Sequence, residues 1–330
     1  MSQHPALKIW TNHDLSQDQL DWLREHIAPH HLVTSSGEKV NNLTAGDRDE
    51  ACVAADIAFG QPSVDDIIPS KDLKWVHITS AGYTRYDRSD LREALLADGT
   101  AFTNSSSVYD DPCAQHAFAM ILCHNRRLLT SAASHAEAKW SYDTLRPIER
   151  VLRDEKVLIV GYGAIGVRLT ELLLPFGPEI RGIRRSIQGD EPVSTYAIDQ
   201  LDEHLSWADH VVNVLPASTS TNGLFNTDRF SKMKRGAAFY NIGRGDTVEQ
   251  HDLIGALESG QVSAAYLDVT SPEPLPSDHP LWKAPNCLIT PHVAGGMQNE
   301  ADVLLKHFVD NLARFLENQP LKDLVRSLNP

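Results

Sequence analysis

At 330 residues, with 42% apolar and 22% charged side chains, the chain has the composition of a soluble globular protein long enough for two hydrophobic cores. Its formal net charge of -14 argues against nucleic acid as a partner, although a few local arginines can still hold a small anion. Four scattered cysteines (Cys52, Cys113, Cys123, Cys287) fit neither a metal site nor a disulfide framework, and no secretory pattern or bilayer-spanning apolar run is present, so a cytoplasmic protein with no metal and no membrane contact is expected.

Short apolar runs at 8–10, 31–34, 56–59, 75–79 and 101–103 read as strands. Between the first two, Ser16 opens a helix carrying Leu20, Leu23 and Ile27 at helical spacing. A long helix is expected over 112–129, with Pro112 at a position where helices begin and Ala117, Met120, Ile121 and Leu128 facing a core. Residues 131–150 are polar apart from Trp140 and Tyr142 and read as a linker or arm. A second series follows, with strands at 156–160, 179–183, 210–214, 237–241, 264–268 and 287–290 and a helix over 164–174. The chain closes with an amphipathic helix over 299–318, whose Val303, Leu304, Phe308, Leu312, Phe315 and Leu316 form one stripe. This alternation implies an α/β fold of two doubly wound parallel-sheet domains with a cleft between them, and ligands bind such folds beyond the C-terminal strand ends.

The strand at 156–160 runs into Gly161-Tyr-Gly163-Ala164-Ile165-Gly166 and then a helix. Gly161 permits a tight turn, Gly163 lets backbone approach a pyrophosphate, and Gly166 lets the helix pack on the sheet. The helix N-terminus adds free N–H groups and a positive dipole end. In this strand–turn–helix–strand context the motif implies a nicotinamide dinucleotide. NAD-specific sites place a carboxylate about 20 residues on, at the end of the second strand. Here Arg184 and Arg185 stand there instead, as a guanidinium clamp for a 2′-phosphate, so NADP(H) is favoured while NAD(H) remains possible.

Three later strand ends carry chemistry: Asn241-Ile-Gly-Arg244, Asp268-Val-Thr-Ser-Pro-Glu273 and Thr290-Pro-His292. Reduction of a keto acid needs an Arg for the carboxylate and carbonyl, a His to donate a proton, and a carboxylate to orient and stabilise the imidazolium. A short-chain dehydrogenase is excluded, because no Tyr has a Lys at the offset its chemistry requires.

With these motifs in view, and with Thr79-Ser-Ala81-Gly82-Tyr, Ala114-Gln-His-Ala-Phe-Ala-Met, Met233-Lys-Arg-Gly-Ala and His279-Pro-Leu-Trp282, the chain resembles the D-isomer-specific 2-hydroxyacid dehydrogenases over nearly its whole length. Glyoxylate/hydroxypyruvate reductases look most similar. The resemblance implies a Rossmann dinucleotide-binding domain (108–298) and a flavodoxin-like substrate domain (1–107 with 299–330). It implies Arg244 as substrate anchor, Glu273 as partner carboxylate and His292 as acid/base. Backbone N–H groups of Ala81 and Gly82 would hold the substrate carboxylate, and Asp268 the nicotinamide carboxamide. Leu215, Pro216, Ile242 and Gly243 complete the expected cofactor contacts. A small 2-keto or 2-hydroxy acid is the expected substrate, and a homodimer through the cofactor domains the expected assembly. Gln115 stands where the family usually has Glu, and Glu273 stands where formate-oxidising relatives have Gln, which disfavours formate. A different class of function, a dinucleotide-sensing co-repressor-like scaffold with little turnover, keeps the same trio.

Overall fold

Alternation of side chains along short buried strands builds both halves of the molecule. A computed structural model describes residues 5–37, 39–40, 44 and 46–329. The chain forms two compact units, residues 1–109 with 297–330, and residues 110–296.

In the first unit, β1 (Lys8–Thr11), β2 (His31–Thr34), β3 (Ile57–Gly60), β4 (Trp75–Ile78) and β5 (Ala101–Thr103) form a five-stranded sheet in the order β2-β1-β3-β4-β5. All pairings are parallel, with Ile9 beside Leu32 and Ile57, and Ile57 beside Trp75. This is the flavodoxin-like order. The strand period of two sends Trp10, Ala58, Val76 and Phe102 into one core. It sends Ile9, Ile57, Phe59 and Trp75 into another, against Leu305, Phe308 and Leu312 of the helix Glu300–Leu316. Phe308 stacks on Phe59 at 4.3 Å and on Trp75 at 5.3 Å, so the apolar stripe of the last helix is core. The helix Gln17–His26 starts as expected: Ser16 accepts from the Gln19 N–H and the Gln19 side chain accepts from the Ser16 N–H.

In the second unit, β6 (Lys156–Val160), β7 (Glu179–Arg184), β8 (Ser194–Ala197), β9 (His210–Asn213), β10 (Ala237–Asn241), β11 (Val262–Leu267) and β12 (Cys287–Ile289) form a seven-stranded parallel sheet. Its order, β12-β11-β10-β9-β6-β7-β8, is that of a Rossmann sheet, with the chain reversing direction across the sheet beside β6. Leu158, Val160, Val211, Phe239, Ala265 and Leu267 form its main core. Strand β8 was not expected, because it is a short edge strand of mixed polarity, Ser-Thr-Tyr-Ala.

The expected helix over 112–129 is corrected at both ends. It runs Ser106–Asn125, with Pro112 inside it rather than at its start. Its first N–H groups are capped by Asn104 Oδ1, which accepts from Ser106 at 3.2 Å, and by Asp323 Oδ2, which accepts from Ser107 at 3.0 Å. The second cap comes from the far end of the sequence, so no local signal announces it. At the other end Arg127 takes a left-handed φ of 52° and a separate helix, Leu128–Ala136, begins. Part of the expected linker is thus helical, as is Tyr142–Leu145. Among the described residues no helix is long and apolar enough to cross a membrane.

His77 in β4 is fully buried, with Nδ1 at 2.6 Å from Thr103 Oγ1, and burial pushes its pKa from 6.5 down to about 3. The unfolded chain therefore binds a proton that the folded chain refuses, so stability is full above about pH 6.5 and falls as pH drops toward about 3. Denaturant midpoints measured between pH 7 and pH 4 should fall with pH, and His77→Gln should flatten that slope.

Candidate active site

The C-terminal end of β6 delivers the glycine turn. Gly161 has a φ of +99°, and a Cβ there would lie 2.8 Å from the Val214 carbonyl carbon, so glycine is required. The N–H groups of Gly161 and Tyr162 both donate to the Ile183 carbonyl, at 2.9 and 2.8 Å, which ties the turn to the end of β7. A Cβ on Gly163 would meet nothing within 4 Å, leaving open space above the backbone. A Cβ on Gly166 would press to 3.2 Å from Ile159 Cγ2, which is how closely the helix Ala164–Leu173 lies on the sheet. That helix has no side-chain cap, and among the described residues the N–H groups of Ala164, Ile165 and Gly166 have no backbone acceptor. An open glycine cradle below three free N–H groups fits a pyrophosphate.

The loops after β9 and β10 close on this turn. A Cβ on Gly243 would sit 2.5 Å from the Leu215 carbonyl oxygen. Asn241 Oδ1 accepts from the Gly243 N–H at 3.1 Å and from Asn213 Nδ2 at 3.0 Å. Leu215 and Ile242 are buried beneath these loops while Pro216 is exposed. The residues expected to line a dinucleotide therefore gather at adjacent strand ends. At the end of β7, Arg184 pairs with Glu191 at 2.9 Å, and Arg185 is exposed. The sequence showed no carboxylate at this strand end; the loop beyond it brings one back.

Of the three residues expected to carry chemistry, two touch. His292 Nδ1 lies 2.8 Å from Glu273 Oε2. Facing a carboxylate, Nδ1 carries the proton and donates it, and no described residue hydrogen-bonds Nε2. The second Glu273 oxygen accepts from the Thr270 N–H at 2.9 Å. Burial alone would raise the Glu273 carboxyl, but the hydrogen bonds from His292 and Thr270, with the charge of Arg244, hold it below its ordinary value. Burial pulls the Arg244 guanidinium below its ordinary value, and Glu273 acts against that shift. Arg244 itself donates to the Gly243 carbonyl at 2.6 Å. The trio thus forms one electrostatic group, with an unpartnered imidazole nitrogen at its edge.

Asp268, expected at the carboxamide, has a second task. It is 2% exposed. Its Oδ1 accepts from Thr290 Oγ1 at 2.6 Å and the Val293 N–H at 3.0 Å, its Oδ2 from the Ala294 N–H at 2.9 Å, and its backbone carbonyl from the His292 N–H at 2.8 Å. His116, on the long helix, lies 3.1 Å from Thr290 Oγ1. These braces went unforeseen, because Thr290 and His116 lie in motifs 174 residues apart that nothing in the sequence relates to each other. Near Gln115, which bonds Asp111 at 2.7 Å, the other Asp111 oxygen pairs with Arg168 at 2.7 Å, so an ion pair exists there without a Glu.

In the first unit, the carbonyls of Ala81 and Gly82 accept from Asn104 Nδ2 and Ser80 Oγ, both at 2.7 Å. Their own N–H groups have no described backbone acceptor, as an anion-binding loop requires.

The family profile described as D-isomer specific 2-hydroxyacid dehydrogenase, NAD binding domain, matches residues 118–294. The human glyoxylate reductase/hydroxypyruvate reductase is 35% identical over 257 residues, 76% of each chain. Glyoxylate/hydroxypyruvate reductase B of Escherichia fergusonii is 32% identical over 315 residues, 92% of this chain and 94% of its own. Among solved structures, a D-isomer specific 2-hydroxyacid dehydrogenase from Xanthobacter autotrophicus Py2, in complex with NADPH and MES, superposes with a TM-score of 0.82 at 26% identity, covering 98% of this chain and 99% of that one.

Gly245 sets how closely the Arg244 and Glu273 loops approach, since a Cβ there would fall 1.9 Å from the Thr270 carbonyl oxygen. Gly245→Ala must push the loops apart. It should leave dinucleotide binding in place, lower turnover about 100-fold, and cost about 1–3 kcal/mol of stability, as read by steady-state kinetics and denaturant unfolding.

Proposed function

The chain belongs to the D-isomer specific 2-hydroxyacid dehydrogenase family and is an NAD(P)-dependent enzyme; from that premise we propose that it reduces a small 2-keto acid of the glyoxylate or hydroxypyruvate type to a D-2-hydroxy acid. The observation that carries this reading is the hydrogen bond between His292 Nδ1 and Glu273, which leaves Nε2 to exchange a proton with substrate.

When bound, the dinucleotide supplies the hydride. Gly161, Gly163 and the N-terminus of the helix Ala164–Leu173 would hold its pyrophosphate, with Leu215, Pro216, Ile242 and Gly243 lining the same strand ends and Asp268 at the carboxamide. Arg184 and Arg185 would take a 2′-phosphate, which favours NADP(H) while NAD(H) remains usable. Arg244 anchors the substrate carboxylate and polarises the neighbouring carbonyl. His292, as the imidazolium, delivers its Nε2 proton to the carbonyl oxygen and is left neutral, while Glu273 stabilises the imidazolium through Nδ1 before that transfer. The reductase relatives favour turnover over a sensing scaffold, which would keep the same trio.

We also propose a homodimer formed through the second unit. Leu128, Tyr142, Ile148 and Val151 lie exposed on one stretch of it, and Trp140 is 92% exposed. Sedimentation should give twice the mass of one chain.

Oxidation of NADPH and NADH against glyoxylate, hydroxypyruvate, pyruvate and phenylpyruvate tests the substrate class, with glyoxylate and hydroxypyruvate expected to turn over fastest. His292→Ala should lower kcat by about 100- to 10,000-fold. Glu273→Gln should move the reductive pH profile toward lower pH, because the protonated imidazole loses its neighbouring negative charge. Unchanged turnover in His292→Ala across the pH range would sink the assignment.

A further inference from the structure

The loop after β7 carries a carboxylate that the glycine motif does not explain. Glu191 lies seven residues beyond Arg184, yet its side chain turns back to the strand end and is 5% exposed. Its Oε1 accepts from Arg184 Nη1 at 2.9 Å and from the Gln188 N–H at 2.7 Å, and its Oε2 accepts from the Gly189 N–H at 2.8 Å. Gly189, at a φ of +90°, supplies the backbone bend that brings these donors together. A guanidinium and two backbone N–H groups converging on a pair of anionic oxygens make an anion site. The chain fills that site with its own side chain. Backbone hydrogen bonds from Gln188 and Gly189 hold the Glu191 carboxyl below its ordinary value, so it is ionised at neutral pH.

The site adjoins the dinucleotide turn. Ile183, the residue before Arg184, accepts the N–H groups of both Gly161 and Tyr162. Tyr162, raised chiefly by burial, also feels the opposed charges of Glu191 and Arg184.

We propose that Glu191 determines cofactor specificity: its carboxylate occupies the position at Arg184 that the 2′-phosphate of NADP(H) requires, and so holds down the preference for the phosphorylated dinucleotide. A phosphate reaching Arg184 meets a like charge already seated on the same donors. The uncharged 2′-hydroxyl of NAD(H) meets no such conflict and can donate to the carboxylate. This rests on the reading that Arg184 faces the adenosine ribose.

The test is equilibrium binding of NADPH and NADH by calorimetry, without turnover, to the wild type, Glu191→Gln, Glu191→Ala, Arg184→Ala and the double variant Arg184→Ala/Glu191→Gln. Glu191→Gln keeps an acceptor for the loop N–H groups and removes the charge. It should tighten NADPH about tenfold and change NADH by less than about twofold, and the double variant should lose the gain. Glu191→Ala should tighten NADPH in the same direction. If Arg184→Ala weakens NADPH while Glu191→Gln tightens neither dinucleotide, or both equally, the role of Glu191 is overturned and the ribose reading stands. If Arg184→Ala leaves NADPH unchanged, the ribose reading itself fails. Failure of both Glu191 variants to fold, read by thermal unfolding, would make Glu191 a structural brace and also overturn the proposal.

Discussion

Asp268 is the buried charge on which the arrangement around His292 depends. An ionised carboxylate removed from water is costly unless its lone pairs are filled. Here they are filled by Thr290 Oγ1 and by the N–H groups of Val293 and Ala294, while the Asp268 carbonyl takes the N–H of His292. His292 has a positive φ of 54°, a conformation that side chains other than glycine rarely adopt. The hydrogen bonds around Asp268 are what hold it there, so the strain falls on the residue whose placement the proposed chemistry needs. Because β11 and β12 are parallel and in register, with Leu267 beside Ile289, the two segments emerge side by side and the carboxylate spans them directly.

Around this brace the charges form a graded set. Glu273 satisfies one oxygen with a backbone N–H and gives the other to His292. Arg244 is more deeply enclosed, and desolvation works against its charge while Glu273 supports it. Each group is stabilised by the next, so neutralising one would alter the protonation preference of the others. Close backbone approach makes this possible. Gly245 against Thr270 and Gly243 against Leu215 let loops from neighbouring strands touch where a Cβ would hold them apart.

Much of this was legible in the sequence because it is local. The glycine turn has a fixed spacing, the strands alternate or run apolar, and Ser16 announces its own helix. Arg244, Glu273 and His292 follow strand ends that their own residues predict. The start of the long helix was misplaced, since Pro112 resembles a first-turn proline while the working caps are Asn104 and the distant Asp323. Strand β8 was missed because it is four residues long, of mixed polarity and nowhere buried, so neither an apolar run nor an alternation marks it.

The sequence by itself determined the two-sheet α/β plan, the dinucleotide turn and the residue types at each strand end, because these rest on period, spacing and steric demand within a few residues. Only the tertiary structure decided which donors each carboxylate meets: Asp268 with the His292 loop, Glu273 with Nδ1, and Glu191 with Arg184. Those pairings depend on sheet order and loop return, which bring together atoms that no local pattern relates.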